Sequence, residues 1–342
     1  VWSDWPSEIR DRDPGTIKRL DGELQLPIER EKFLQYAFHR QWSALKRYCN
    51  ERRIQIFGDV PIYIQYDSSD LWTHPELFKL DGAKRPYVVA GVPPDYFCKT
   101  GQRWGNPLYR WDVLRGTDYA WWMRRMGHNQ ALYDLVRVDH FLGLVAYWEV
   151  PAQEKTAVHG KWIEAQGEDF LRVLFKKFPF YPLIAEDLGS VTPAVREVMA
   201  RFDLPGMKVL LFAFGDNLST NPFVPHNHVP GCVLYTGTHD NNTVRGWFEN
   251  DATPEERSRL FRYLGREIPA GEVAEEFIRM GMMSVANIFI MPIQDLLGLG
   301  SEGRMNTPSA GAGNWKWKLL PEQITPEVTE HLRGLTETYG RA

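Results

Sequence analysis

The 342-residue sequence contains no uninterrupted apolar run long enough to span a bilayer, so no membrane partner is expected. Cysteine is scarce. Cys49, Cys98 and Cys232 are odd in number and widely scattered, which excludes a disulfide framework and a metal-type pair and favours a reducing compartment. Charge of one sign is also missing. The 40 Lys and Arg residues nearly balance the 44 Asp and Glu residues, the formal net charge is -4, and no block of like charges stands out. A polyanion such as nucleic acid is therefore not an expected partner. There are no paired histidines at helix spacing with a third ligand and no Gly-rich phosphate loop. Gly298 and Gly300 lie close together but no Lys-Ser/Thr follows them, and no Gly-x-Ser-x-Gly elbow occurs. Neither a metal nor a cofactor is expected. Internal repeats and low-complexity tracts are absent, and a start at Val1 leaves targeting unread.

Aromatic residues, by contrast, are abundant: 13% of the chain, with 13 Trp. Flat rings fill cores, and they also stack on the apolar C–H face of a pyranose. Composition alone favours the core.

Hydrophobic periodicity alternates helix with strand. Residues 29–50 read as a helix with Phe33, Leu34, Ala37, Phe38, Trp42 and Leu45 on one stripe. Further helices are expected at about 119–134, 169–177, 193–202, 254–264 and 273–280. Six strands are expected at 53–59, 135–141, 182–189, 207–214, 231–240 and 284–295. Near-continuous apolar strands alternating with helices indicate a parallel sheet buried on both faces. Six strands fit an open sheet or part of an eight-stranded barrel. Two long stretches, about 61–111 and 142–168, read as loop-rich insertions, and loops of that length are usually functional.

Acidic residues recur at or just past the strand ends: Asp59, Asp139, Glu186, Asp240 and Asp295. Any one of them alone would be read as a helix or turn cap. Five in succession point to a shared acidic cleft, because α/β barrels draw their catalytic groups from the C-terminal strand ends. Arg137 and Asp139 are two apart and face the same side of a strand. A guanidinium favours the ionised form of a neighbouring carboxylate, as a glycosyl nucleophile requires, and the same spacing equally describes a structural ion pair. Glu186 follows apolar residues, so burial is expected to raise its pKa toward that of a general acid. Against this stands a strand-end carboxylate left in solvent. Thr238-His239-Asp240-Asn241-Asn242 offers several polar side chains suited to sugar hydroxyls, or to local hydrogen bonds.

At these residues the sequence resembles the 4-α-glucanotransferases of glycoside hydrolase family 77, the amylomaltases or disproportionating enzymes. The motifs that carry it are GDVPIYIQYDSSDLW (58–72), GVPPDYFCKTGQRWGNPLY (91–109), VRVDHF (136–141), AEDLG (185–189), PGMKVL (205–210), YTGTHDNNT (235–243), SEGRMN (301–306) and GNWKW (313–317). The resemblance implies an α/β fold of the (β/α)8 TIM-barrel type. Residues 1–342 would form one catalytic barrel lacking its N-terminal first strands, with the insertions at about 61–111 and 142–168. It also implies retaining transfer of α-1,4-glucan segments between maltooligosaccharides or starch chains. Asp139 would be the nucleophile, Glu186 the acid/base and Asp240 the third carboxylate. Arg137, His140, His239, Asp95, Trp104, Asn106, Asn306 and Asp59 would bind substrate, with Asp95 in a lid loop. No cofactor or metal is implied, and the location would be cytoplasmic, or plastidial in a plant. An α-amylase-type hydrolase and a non-catalytic glucan-binding remnant are the alternatives to this reading.

Overall fold

The computed structural model describes residues 1–94, 98–189, 191–308, 310 and 312–341. The chain divides into two compact units, Val1–Leu204 and Pro205–Ala342.

The first unit contains β1 (Phe57–Val60), β2 (Val88–Val92), β3 (Gln102–Pro107), β4 (Leu135–Val138), β5 (Ala146–Pro151), β6 (Lys161–Glu164) and β7 (Leu183–Ala185). Strands β1, β4 and β7 form a parallel sheet in the order β1-β4-β7. Helices Ala120–Leu132 and Gly167–Lys177 precede β4 and β7, which gives the crossovers that parallel strands require. The register sets Asp59 beside Arg137 and Val138 beside Ala185. It is fixed in part by Gly58: a Cβ there would lie 2.1 Å from the Tyr133 ring, so only glycine lets the strand approach that closely.

The stretches expected to be loop-rich contain a second sheet. Strands β2, β3, β5 and β6 pair antiparallel in the order β3-β2-β5-β6. Their sequences (VVAGV, QRWGNP, AYWEVP, KWIE) are short and mix Gly, Pro and charge into the strands, so no period of two is visible; pairing between segments distant in sequence creates them. The six expected strands are all present but shorter. The 135–141 strand ends at Val138, and the 182–189 strand ends at Ala185, because the chain turns where the polar residues begin.

Many of the aromatic rings build the core. Tyr109 is buried with Phe78, Trp111, Trp121 and Trp122 around it, at ring-centroid distances of 5.1 to 5.8 Å. Such edge-to-face and tilted contacts add to the apolar area these rings bury. The long helix, Gln25–Glu51, forms as expected but buries none of its residues. Phe33, Leu34, Phe38 and Leu45 of its stripe stay exposed, and Trp42 anchors it by donating to the Leu132 carbonyl at 3.0 Å.

The second unit holds β8 (Gly206–Val209), β9 (Cys232–Tyr235) and β10 (Ile288–Ile290), parallel in the order β10-β9-β8. Helix Pro254–Leu264 begins with a Thr253/Glu256 capping box and Pro at its first position, both sequence-encoded starts. Helix Val273–Met283 supplies Phe277 to the core, where Phe214 and Trp247 meet it at 5.6 Å each. Asp295 is only 2% exposed. It accepts from the Thr236 hydroxyl at 2.6 Å and from the Val244 amide at 2.8 Å, so it ties the end of β9 to the short helix Val244–Gly246. Among the described residues no helix is long and apolar enough to cross a membrane.

Candidate active site

Chemistry-bearing side chains gather where the parallel strands of the first unit end. The Asp139 amide donates to the Val60 carbonyl at 3.0 Å, so the residue sits one step beyond β4 and is still tied to β1. Glu186 follows β7, and its amide donates to Val138 at 3.1 Å. Strand pairing therefore sets both carboxylates at the same level of the sheet.

Arg137, on β4, pairs with two acids. Its guanidinium donates one N–H to Asp59 and another to Asp139, each at 2.7 Å. The fork can reach both because Asp59 is its register partner and Asp139 lies two residues along the same face. Burial opposes the guanidinium's charge, but Asp59, Asp139 and Glu186 outweigh it and raise the Arg137 pKa further. The Asp139 side chain is 44% exposed and so open to an incoming molecule.

Glu186 is in the opposite setting. It is 9% exposed, and burial pushes its pKa up to about 7. Arg137 pulls that value down, Asp139 pushes it up, and two backbone amides pull it down. Those amides are His140 N–H to Oε2 and Leu188 N–H to Oε1, both at 2.8 Å. The amide next to Asp139 thus grips the carboxylate of Glu186, and the two acids are neighbours in opposite environments. A carboxyl that titrates near neutrality can both give and take a proton.

His140 makes the turn that allows this. Its φ is +48°, a left-handed conformation that His adopts more readily than bulkier or β-branched residues. The ring is pressed edge-on against Trp104 with centroids 4.7 Å apart, and Tyr63 lies 6.5 Å from it. Burial lowers the His140 pKa to about 4, against the pull of Asp139, so the imidazole is neutral at neutral pH. Trp104 is 38% exposed on β3 and presents an open ring beside the carboxylates' strand ends. Asn106, two residues on, donates to the Ile64 carbonyl at 3.1 Å and is used at least partly to hold β3 in place.

In the second unit, Asp240 lies in the turn after β9. Asn306 donates to its Oδ1 at 2.6 Å, His239 Nε2 is 3.6 Å from the same oxygen, and Arg304 donates to the Asp240 carbonyl at 3.1 Å. The Asn306 amide donates to the His239 carbonyl at 3.1 Å, so the two loops are laced together.

Of the residues singled out in the sequence, Asp59, Arg137, Asp139, His140, Glu186 and Trp104 therefore cluster in the first unit. His239, Asp240 and Asn306 cluster in the second. Asp95 lies outside the described residues. Asp295 is a buried structural anchor whose pKa is raised by burial. Sequence reasoning passed over Tyr63, which backs Trp104 and His140, and Arg304, which holds both Asp240 and the Asn306 carbonyl at 2.9 Å. Both lie inside quoted motifs, but nothing in the spacing marks them as contacts. Among the described residues no group of three or more His, Cys, Asp or Glu side chains is arranged to hold a metal ion.

Comparison with known proteins adds the following. A family model for glycoside hydrolase 77, described as 4-alpha-glucanotransferase, matches residues 1–323. The 4-alpha-glucanotransferase of Thermus thermophilus is 47% identical over 99% of this chain and 69% of its own length. The chloroplastic/amyloplastic 4-alpha-glucanotransferase of Solanum tuberosum is 39% identical over 99% of this chain and 59% of its own length. Among solved structures, the amylomaltase of Streptococcus agalactiae in complex with acarbose superposes with a TM-score of 0.95. It is 37% identical and covers 99% of this chain and 68% of its own.

Proposed function

This chain belongs to the 4-alpha-glucanotransferase family, glycoside hydrolase 77, and on that premise we propose how its residues carry the transfer. The activity is that of a 4-alpha-glucanotransferase, an amylomaltase acting on α-glucans. The finer reading is a retaining double displacement on α-1,4-linked glucose chains. The observation that carries it is the contrast between neighbouring acids: Glu186 buried with a pKa near 7, Asp139 exposed and bonded to Arg137.

In the first half-reaction Glu186 gives its proton to the glycosidic oxygen while Asp139 attacks the anomeric carbon. The bond to the leaving sugar breaks, and a glucan stays covalently attached to Asp139. Arg137 and Asp59 hold the nucleophile in place. Glu186, now a carboxylate, removes the proton from the 4-hydroxyl of an acceptor sugar, whose oxygen displaces Asp139 with overall retention. The two backbone amides on Glu186 steady it in both states. Asp240, fixed by Asn306, serves as the third carboxylate that holds sugar hydroxyls and stabilises the oxocarbenium-like transition state. His140, His239, Trp104, Asn106 and Asp95 complete the proposed substrate contacts. The neutral imidazole of His140 suits a hydrogen bond to a sugar hydroxyl better than a buried cation would.

The finer fold reading, a (β/α)8 barrel with the catalytic groups at its C-terminal strand ends, is supported by the parallel strand order within each unit. Three scattered cysteines, Cys49 and Cys98 half-buried and Cys232 buried, suit the cytoplasm or a plastid.

The experiment is incubation with maltotriose. Transfer gives glucose together with maltooligosaccharides longer than the substrate. Glucose and maltose alone would make the chain a hydrolase, and no turnover with retained binding would make it a glucan-binding protein.

A further inference from the structure

The GNWKW motif has no place in the mechanism above, yet its first tryptophan is in an unusual position. Trp315 is 59% exposed and has a φ of +59°. A bulky residue in the left-handed region is strained, and such strain persists only where the surroundings impose it. The surroundings here are the loops that hold Asp240. The Trp315 amide donates to the Met305 carbonyl at 2.7 Å, between Arg304 and Asn306, which both bind Asp240. Asn314 accepts from the Thr307 amide at 3.0 Å, closing the same loop. The indole ring lies 5.3 Å from the His239 ring, tilted by 40°. The frame that aims Asp240 therefore also holds a large, exposed indole against His239, the residue preceding Asp240.

We propose that Trp315 is a stacking platform for a glucose unit bound next to the one whose hydroxyls Asp240 holds. An indole offers a flat apolar face, and the C–H face of a pyranose is its natural cover. An α-1,4-glucan presents such a face at each successive sugar. The energetic logic is that of pre-organisation: the ring is held open by the backbone before the sugar arrives, so little side-chain freedom is lost on binding. Trp2 and Trp122, which serve the core, are by contrast turned inward. This inference rests on the glucan reading above.

The test is calorimetric titration of maltoheptaose into the Asp139→Asn chain, which binds without consuming the sugar, and into the same chain with Trp315→Ala, Trp315→Phe or Trp315→Asn. Asparagine accepts the left-handed backbone, so Trp315→Asn removes the ring while keeping the loop. The expected result is about tenfold weaker binding for Ala and Asn. Phe should retain most of the affinity, and the melting temperature of the Asn variant should be unchanged or higher. Unchanged affinity in the Ala and Asn variants would overturn the platform alone. Weakened binding in Trp315→Asn accompanied by a fall in melting temperature would make the ring a structural prop and also overturn it. No binding by the parent Asp139→Asn chain would overturn the glucan reading and the platform with it.

Discussion

The Arg137 guanidinium bridges Asp59 and Asp139, 2.7 Å from each, so a single buried cation fixes two acids from neighbouring strands. Replacing it by Met keeps the bulk and removes both bonds. Arg137→Met should lower kcat on maltotriose by about 10²-fold. Asp59→Asn should cost less, and its effect should largely vanish in the Arg137→Met background, because Asp59 acts through the guanidinium. Rates of the two single variants and the double variant form the cycle that checks this.

Asp139→Asn keeps the shape of the side chain and removes the proposed nucleophile. Transfer should fall by ~10⁴-fold or more with the fold retained. Near-normal release of glucose from maltotriose, with an unchanged circular-dichroism melt, would take Asp139 out of its role.

Glu186 sets a pH dependence whose sign follows from its raised pKa. The folded state favours the protonated acid, with a pKa of about 7 against an ordinary 4.5. The proposed first half-reaction needs that proton, so kcat/KM should decline above about pH 7. The same shift couples to stability. The contribution is fully present below pH 4.5 and is lost as pH rises through 7, amounting to roughly 3 kcal/mol. Glu186→Gln cannot ionise, so that part of the pH-dependent loss in melting temperature should disappear along with activity. A wild-type profile flat from pH 6 to 9 would remove Glu186 as the acid.

Asn306 holds the Asp240 carboxylate at 2.6 Å and can be tested without touching the carboxylate itself. Asn306→Ala should free Asp240 to rotate and lower kcat/KM by about tenfold to a hundredfold. Asn306→Asp should be worse, because it sets a second negative charge against the first. Steady-state kinetics on maltotriose would read both.

Asp295 makes a contrasting prediction, because it is buried and bonded to Thr236 and Val244. Asp295→Ala would leave a buried hydroxyl and a buried amide without an acceptor, costing roughly 2–4 kcal/mol of stability. A melting temperature within a degree of wild type would contradict this.

Much of this protein is legible in its sequence. The alternation of helix with apolar strand identified all six parallel strands, since period and run length are local properties of the chain. Strand-end acids were visible because polarity changes abruptly at Asp139, Glu186 and Asp240. Burial of Glu186 was foreseen from Ile184 and Ala185 before it. The antiparallel sheet was not, because strands such as QRWGNP gain their form only from distant partners. Nor could spacing decide between an ion pair and a nucleophile at Asp139. The structure shows the ion pair, with Asp59 set beside Arg137 by the β1–β4 register, and it leaves the Asp139 side chain 44% exposed, which is what the proposed nucleophile needs. The division of the aromatics was likewise a tertiary decision. The sequence counts 13 tryptophans alike, whereas packing buries Trp122 and leaves Trp104 and Trp315 facing solvent. Local pattern determines which residues become strand, helix and strand end. Contacts between segments far apart in sequence decide which side chains are desolvated, and desolvation is what sets Glu186 apart from Asp139.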